Sequence, residues 1–131
     1  MSEQEPSGLL TIRTIAMPND LNYEGDVFGG WLVSQMDLAG GIAARWRSGG
    51  RVTTVGIEAM QFHTPLRMGD ELSCYCTEVR IGRTSMTYLI EVWVRRREGG
   101  SQVRATKGTF TYVALGSDGR PRPVPANPDA P

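Results

Sequence analysis

Cysteine and histidine are scarce in this chain of 131 residues, which contains two cysteines and one histidine. Cys74 and Cys76 lie two positions apart on a predicted strand, so they point to the same face and are poorly placed to bond to each other. His63 is the single histidine, which leaves too few ligands for a zinc site of the usual spacing. The sequence therefore predicts reduced, buried thiols and no metal site.

An excess of charge and long apolar runs are also lacking. The 14 Lys and Arg residues balance the 14 Asp and Glu residues, so no overall field favours nucleic acid or an anionic membrane. No apolar run approaches the roughly 20 residues of a membrane-spanning helix. Residues 1–8 lack the basic and apolar regions of a secretory signal. We expect a soluble, cytoplasmic protein that binds neither nucleic acid nor membrane.

The residues that are present predict one helix and five strands. Residues 9–17 are β-branched and mostly apolar, which is typical of a strand, and a turn-rich loop follows them. Residues 30–47 are apolar on nearly every side, which is typical of a buried helix, and glycines end this segment. The period then changes to two, which predicts strands over residues 52–63, 71–81, 84–97 and 103–115. Short glycine-containing connections at 82–83 and 98–101 predict antiparallel hairpins.

One helix that is apolar all round cannot be covered by five strands unless the sheet curves around it or a second subunit packs against it. The predicted fold class is therefore α+β, with a long central helix wrapped by a curved five-stranded antiparallel sheet in a homo-oligomer. The folded domain spans residues 9–115. Residues 1–8 are predicted to be a disordered N-terminal arm, and residues 116–131 a proline-rich C-terminal tail.

A single carboxylate, Asp37, lies in the middle of the apolar helix. Burial of an unpaired charge is costly, so this residue needs either a structural partner or a chemical role. Gly40 and Gly41 follow it, and each costs up to about 1 kcal/mol relative to alanine in a helix. Their presence predicts close approach of a strand or of a second chain. Asp37 is the first candidate for a catalytic residue.

Five runs of sequence carry a family resemblance: RTIAMPND, GDVFGGWLVSQMDLAGG, VGIEAMQFHTPLRMGDEL, VRIGRTSM and EVWV. Together they resemble the hotdog-fold acyl-CoA thioesterases of the YciA type over residues 9–115. The resemblance implies a hotdog fold and hydrolysis of acyl-CoA to a free carboxylic acid and CoA. It also implies a homodimer with active sites between protomers, which assembles further to a hexamer (a trimer of dimers) or a tetramer. No separate cofactor is implied, because coenzyme A is part of the substrate.

The resemblance makes Asp37 the catalytic carboxylate, and two roles stay open for it: general base for water, or nucleophile forming an anhydride. Gly29 and Gly30 begin the helix, where unpaired N–H groups and the helix dipole favour a developing oxyanion. We expect the N–H group of Gly30 or of its neighbour to be the donor. Asn22 matches an asparagine of the family loop and is a supporting catalytic candidate, although asparagine also closes turns.

The resemblance also indicates where coenzyme A is bound. Thr54 and Val55 lie on the strand beside the helix, where the backbone can pair with the pantetheine amides. The hairpin of Arg83, Thr84 and Ser85 matches one that lies near CoA in resembling proteins, and arginine is a natural partner of phosphate. The alternative for this hairpin is an ordinary turn with an exposed arginine.

A second arginine cluster, Arg45, Arg47 and Arg51, lies around the end of the predicted helix. It is either a positive patch for a small anionic ligand or a solvated edge of the fold. His63 and Glu58 are weaker candidates for catalysis than Asp37, because neither belongs to the specific part of the resemblance.

Two other functions are weighed against the thioesterase. A hotdog dehydratase acting on acyl thioesters needs a His/Asp or His/Glu pair in a different place, and the FGGW and SQMD context argues against it. A non-catalytic acyl-CoA-binding or regulatory hotdog module needs no buried acid, so Asp37 and the glycine pair argue against that function. The sequence does not predict which acyl chain length is preferred, nor whether CoA or another carrier bears the substrate.

Overall fold

The structure is a computed structural model that describes residues 5–126. Residues 1–4 of the predicted arm and residues 127–131 of the predicted tail lie outside the described residues. In chain order the elements are β1 (Leu9–Ile15), a short 3₁₀ helix (Pro18–Asp20), α1 (Gly29–Ser48), β2 (Val52–Phe62), β3 (Glu71–Ile81), β4 (Ser85–Arg96) and β5 (Gly99–Ala114). The prediction of one long helix and five strands is confirmed.

The five strands form one antiparallel sheet in the order β1-β3-β4-β5-β2. α1 lies across one face and contacts all five strands. The predicted hairpins β3–β4 and β4–β5 are both present, and they place three long strands side by side in the centre of the sheet. β1 and β2 are the two edges. This arrangement confirms the α+β class.

The core is the layer between α1 and the sheet. The helix contributes Met36 and Ala39, which are completely buried. The sheet contributes large buried side chains such as Ile90, Phe110 and Tyr112. Gly40 explains how closely these layers pack: a Cβ atom there would lie 2.3 Å from the Tyr112 hydroxyl and 2.6 Å from Ile90 Cδ1. The expected close approach of a strand is therefore confirmed at this glycine.

The outer face of α1 is less buried than its composition suggests. A Cβ atom on Gly41 would come no closer than 3.9 Å to Tyr112, an ordinary contact. On the same outer side Leu38 keeps 58% and Trp46 keeps 64% of their surface exposed. The sheet of one protomer therefore covers only part of the apolar helix, and a large apolar area is left for another partner.

The connection between β4 and β5 is shorter than predicted. Residues 98–101 were expected to form the turn, but β5 already begins at Gly99, and Arg97 and Glu98 alone form the turn. Gly99 and Gly100 both have positive φ angles, 102° and 97°, which only glycine adopts without strain. This freedom lets the ladder start directly after a two-residue turn.

The segment 116–126 runs along the body of the protein and is held by side-chain and backbone hydrogen bonds. The Arg122 guanidinium donates to the carbonyl oxygens of Leu115 and Ser48 at 3.0 and 2.9 Å. Val124 N donates to Arg83 O at 2.8 Å. The first part of the predicted tail thus links the end of α1 to the β3–β4 turn.

The two cysteines are free, buried thiols, as predicted. Burial raises the pKa of Cys74 to about 12, and the neighbouring thiol adds to this effect. Burial likewise raises the pKa of Cys76 to about 11, although a hydrogen bond with Thr11 opposes it. Both groups are therefore poor nucleophiles. Within residues 5–126, no helix is long and apolar enough to cross a membrane.

Candidate active site

The side chain of Asp37 finds its partner on the next element of the chain. Thr54 Oγ1 donates to Asp37 Oδ1 at 2.6 Å. α1 ends at Gly49, whose φ of 79° gives a left-handed cap, and the chain then turns directly into β2. Because β2 is an edge strand beside the helix, Thr54 lies next to the middle of α1. The carboxylate is half-buried and oriented by a hydroxyl donor.

Tyr112 supports the same region from below. Its hydroxyl donates to the backbone oxygen of Asp37 at 2.9 Å. Burial raises the pKa of Tyr112, and the charge of the nearby Asp37 carboxylate raises that pKa further. The phenol therefore stays protonated and remains a donor. The sequence did not single out Tyr112, because its position beneath Asp37 depends on the register of β5 against the helix.

A cavity of about 380 Å³ opens beside Asp37. Its lining is Asp37, Leu38, Gly41, Ile42, Arg45, Arg51, Val52, Thr54 and Tyr112. The cavity therefore contains the Asp37 carboxylate, its hydroxyl partner Thr54, apolar side chains from the outer face of α1 and two arginines. A ligand in this cavity would meet a positioned carboxylate, an apolar wall and positive charge.

The start of α1 has backbone donors without acceptors. Trp31 N and Leu32 N donate to Phe28 O, whereas among residues 5–126 the N–H groups of Gly29 and Gly30 have no carbonyl acceptor. The N-cap residue Phe28 offers no side-chain cap. A Cβ atom on Gly29 would meet nothing within 4 Å, so the backbone here is open to an approaching ligand.

A second cavity, of about 350 Å³, opens at this start of α1. Its lining is Val27, Gly29, Leu32, Phe62, His63, Thr64, Pro65 and Leu66. Asp37 is not part of it, because seven or eight residues of helix separate the free N–H groups from the carboxylate by about 10 Å. In one protomer the predicted oxyanion site and the predicted carboxylate therefore belong to different cavities.

Asn22 holds the loop that leads into α1. Its Oδ1 accepts hydrogen bonds from the backbone N–H groups of Glu24 and Asp26 at 2.9 and 3.1 Å. Asn22 N donates to Asp26 O at 2.7 Å and Gly25 N donates to Asn22 O at 3.0 Å. The side chain thus closes the turn through its oxygen, which leaves the Nδ2 amide as the group with donor capacity for a ligand.

The remaining predicted contacts gather at one end of the sheet. Val113 pairs with Thr53 on one side and with Ser85 on the other, so the start of β2 and the start of β4 lie in one row, about 10 Å apart across two strand spacings. Val55 is exposed and sits at a bulge of β2, between Thr54 and Gly56. The Arg83–Ser85 turn and Thr54 are therefore at the same end of the sheet but not in contact.

The weaker candidates are placed away from the carboxylate. Glu58 is exposed on β2, and His63 lines the cavity at the helix start. Within residues 5–126, no group of three or more His, Cys, Asp or Glu residues is arranged to hold a metal ion. The residues brought together are Asp37 and Thr54, with Tyr112 beneath them and Arg45 and Arg51 beside them.

Comparisons with known proteins agree with this architecture. The sequence model of the thioesterase superfamily matches residues 24–100. The acyl-CoA thioester hydrolase YciA of Salmonella typhimurium is 47% identical over 126 residues, which cover 94% of this chain and 95% of that protein.

Two solved structures are similar along nearly the whole chain. The thioesterase HI0827, a hexameric broad-specificity acyl-coenzyme A thioesterase solved with an aspartate replaced by alanine, has a TM-score of 0.89 and 40% identity, covering 94% of this chain and 91% of that one. A hexameric hotdog-fold thioesterase of Campylobacter jejuni has a TM-score of 0.85 and 39% identity, covering 90% and 91%. With a family match over more than half of the chain, this protein belongs to the thioesterase superfamily, in the YciA family of hotdog-fold acyl-CoA thioester hydrolases.

Proposed function

We propose that this protein hydrolyses acyl-CoA to a carboxylic acid and CoA, and that Asp37 is its catalytic carboxylate. The observation that carries the proposal is the half-buried Asp37 side chain, held by Thr54 and lining a cavity of about 380 Å³. The relatives support it, since the Salmonella protein is an acyl-CoA thioester hydrolase. An aspartate was also the residue replaced in the HI0827 variant.

Asp37 acts in one of two ways. As a general base it takes a proton from water while the water oxygen bonds to the thioester carbon, and the C–S bond then breaks to release the CoA thiolate. As a nucleophile its carboxylate oxygen bonds to the same carbon, the thiolate leaves, and water hydrolyses the resulting anhydride. In either case the Thr54 hydroxyl fixes the orientation of the carboxylate. No cofactor takes part in this scheme, because Asp37 and water supply the chemistry.

The start of α1 stabilises the oxyanion that forms on the carbonyl oxygen. The N–H groups of Gly29 and Gly30 have no carbonyl acceptor among residues 5–126, and they lie at the positive end of the helix dipole. We assign the main contact to Gly30, with Gly29 beside it. One such donor typically contributes about 3 to 4 kcal/mol to stabilisation of the transition state.

The two halves of the site come from two protomers. Asp37 and the free N–H groups of its own helix are about 10 Å apart along the axis, too far to act on one carbonyl group. Apolar side chains on the outer face of α1 and along β2 also need a cover: Leu38, Val55, Ile57 and Phe62 are exposed. A homodimer that brings α1 and β2 of one protomer against those of the next supplies both the missing half and the cover. Further assembly gives a hexamer or a tetramer.

Coenzyme A then runs along the end of the sheet where β2 and β4 begin. The backbone at Thr54 and Val55 is suited to pair with the pantetheine amides, since β2 is an edge strand with a bulge between Thr54 and Gly56. The exposed Arg83, with Thr84 and Ser85, lies at the same end of the sheet and offers donors to phosphate.

Asn22 has a supporting role in this scheme. Its oxygen is used by the loop, so its amide N–H groups are the atoms that would contact the substrate or the attacking water. The free, buried thiols suit a reducing compartment, and we propose the cytoplasm as the place of action.

The test is a hydrolysis assay over a panel from acetyl-CoA to palmitoyl-CoA with the parent, Asp37→Asn and Thr54→Val. We expect the parent to hydrolyse at least one acyl-CoA, and Asp37→Asn to lower kcat by about 10²- to 10⁴-fold. Thr54→Val keeps the carboxylate but removes its donor, so its loss should be smaller. A parent that binds acyl-CoA without hydrolysing any of the panel would favour the binding module, and full activity in Asp37→Asn would remove the assigned role.

A further inference from the structure

The cavity beside Asp37 continues to two arginines that the hydrolytic chemistry does not use. Arg45 and Arg51 both line it, together with the carboxylate. Arg13, Arg47, Arg95 and Arg96 are examples of arginines in the described residues 5–126 that form ion pairs. Arg45 and Arg51 form no such pair within these residues, so two guanidinium groups without an acidic partner face one cavity.

The neighbouring Arg47, by contrast, is held by contacts within the fold. Its Nε lies 3.4 Å from Glu78 Oε1, and its Nη1 donates to Pro125 O at 2.6 Å. The arginine cluster of the sequence is therefore divided by the structure. Arg47 links the helix to β3 and to the C-terminal segment, whereas Arg45 and Arg51 are exposed and line the cavity beside Asp37.

The spacing between the carboxylate and the arginines fits the substrate. Asp37 and Arg45 are eight residues apart on α1, about 12 Å along the axis, and the arginine side chain extends this reach. In CoA, thirteen bonds separate the pantetheine sulfur from the first phosphorus. If each bond of this arm adds as much length as a bond of a fully extended polypeptide backbone, the arm spans roughly 15 Å. A thioester whose carbonyl lies at Asp37 therefore places its phosphates near the two arginines.

We propose that Arg45 and Arg51 bind the phosphate groups of the CoA nucleotide and make the enzyme selective for CoA over carriers without a nucleotide. This inference rests on the proposed function. One guanidinium group can donate two parallel hydrogen bonds to the oxygens of a phosphate group. Two arginines therefore match the charge of a diphosphate. Arg45 also lies in the last turn of α1, where a positive charge complements the helix dipole. Arg51 lies beyond the helix end and lines the same cavity, so its charge adds to that of Arg45 there.

The experiment compares two substrates that share the best acyl group of the panel: the acyl-CoA and the corresponding S-acyl-pantetheine, which lacks every phosphate. For the parent we expect a lower KM with the acyl-CoA, and we expect this KM to rise with salt because the contact is exposed. Arg45→Gln and Arg51→Gln should each raise the KM for acyl-CoA about tenfold. Their kcat, and their KM for acyl-pantetheine, should stay at the parental values.

Arg120→Gln is the matched control, since Arg120 is an exposed arginine of the C-terminal segment outside this cavity. It should leave both substrates unchanged. The inference is overturned if Arg45→Gln and Arg51→Gln raise KM equally for both substrates, or lower only the melting temperature, since a structural role predicts those results. It is also overturned if Arg83→Gln removes the preference for CoA while Arg45→Gln and Arg51→Gln keep it, because the β3–β4 turn then makes the phosphate contacts that decide the preference.

The assay separates failure of this inference from failure of the proposed function. A parent that hydrolyses acyl-CoA and acyl-pantetheine with the same KM remains a thioesterase but does not recognise phosphate, which contradicts the role of the two arginines. A parent that hydrolyses neither substrate contradicts the proposed function itself.

Discussion

At its start α1 leaves backbone donors free, whereas at its end two of the backbone acceptors are paired by groups outside the helix. The N–H groups of Gly29 and Gly30 have no carbonyl acceptor among residues 5–126 and face an open cavity. At the other end Gly49 N donates to Arg45 O at 2.8 Å, and the Arg122 guanidinium donates to Ser48 O at 2.9 Å. A free helix end costs stability. We therefore interpret the start of α1 as a place where backbone groups bind a ligand. At the end of α1 the backbone has a structural role, and the side chains of Arg45 and Arg51 face the cavity beside Asp37.

The largest expected effect is a loss of kcat when the start of α1 is changed. Gly29→Pro and Gly30→Pro each remove one N–H group, and proline is tolerated in the first turn of a helix. For Gly29→Pro the preceding residue, Phe28, has φ −63° and ψ 126°, an extended conformation that suits the residue before a proline. For Gly30→Pro the Phe28 side chain must move, because a Cβ atom at position 30 would lie 2.8 Å from its ring. In steady-state kinetics with acyl-CoA we expect kcat to fall by about 10²- to 10³-fold, most strongly for Gly30→Pro.

The matched control for this change is Gly29→Ala, which keeps the N–H group. Its Cβ atom would meet nothing within 4 Å, so the fold should be unaffected and more activity should remain than in Gly29→Pro. If both proline variants fold with the parental melting temperature and retain parental kcat, the helix start does not hold the oxyanion.

A substitution in the middle of α1 should lower the free energy of unfolding. In Gly40→Ala the new methyl group would lie 2.3 Å from the Tyr112 hydroxyl and 2.6 Å from Ile90 Cδ1, so buried side chains must move. We expect a loss of about 1 to 3 kcal/mol in the free energy of unfolding, measured by urea denaturation. Gly41→Ala is the paired control, since its nearest contact is 3.9 Å. Equal stability of the two variants would contradict the packing described here.

Removal of the hydrogen bonds at the end of α1 should lower the free energy of unfolding by a smaller amount and should hardly change kcat. Arg122→Ala removes the donor to Ser48 O and Leu115 O, and a hydrogen bond from a charged group typically contributes about 1.5 to 3 kcal/mol. Because the segment is partly exposed, we expect about 1 to 2 kcal/mol in denaturant unfolding and a kcat near that of the parent. A hundredfold loss of kcat with an unchanged unfolding curve would contradict this structural role and would mean that Arg122 takes part in the reaction.

The smallest effect at neutral pH concerns the sheet beneath the helix, away from both ends. Burial raises the pKa of Cys74 to about 12 and that of Cys76 to about 11, above the ordinary thiol value of about 8.5. The folded state therefore holds these protons after the unfolded state has lost them. Stability should be complete below about pH 8 and should fall above about pH 9, with a slope approaching about 1.4 kcal/mol per pH unit for each thiol.

Denaturant curves between pH 8 and pH 9.5 measure this slope. Burial raises the pKa of Tyr88 and of Tyr112 as well, but the unfolded chain loses tyrosine protons only near pH 10, so these groups add little within that window. Cys74→Ala should reduce the slope by about half, because one of two buried thiols is gone. A slope that does not change in this variant would show that the thiols are not the cause of the alkaline loss.

Much of this fold could be predicted because its signals are local. The apolar run around Asp37, the glycines after Arg47 and the change to a period of two are enough to place α1 and the strands. Gly40 could also be interpreted correctly, since a glycine within a helix indicates close approach. The β4–β5 turn was predicted too long, because Gly99 and Gly100 signal a turn although the structure uses their positive φ angles inside the ladder.

The site was predicted less completely, because its contacts depend on register and on distant segments. Asp37 could be chosen from the helix alone, but its hydrogen bond with Thr54 and the position of Tyr112 follow from how β2 and β5 align beside α1. The sequence also could not separate Arg47 from Arg45 and Arg51. That separation needs Glu78 and Pro125, which are far away along the chain.

The central claim is that Asp37 of one protomer acts on a carbonyl held by the helix start of another. The most direct test is co-expression of Asp37→Asn and Gly30→Pro chains with different tags, followed by isolation of the mixed oligomers. Each variant alone should be nearly inactive. Mixed dimers should regain about half of the parental activity, because one of their two sites combines an intact carboxylate with an intact helix start. Mixed oligomers as inactive as the two separate variants would contradict the claim, since every site would then be built within a single chain.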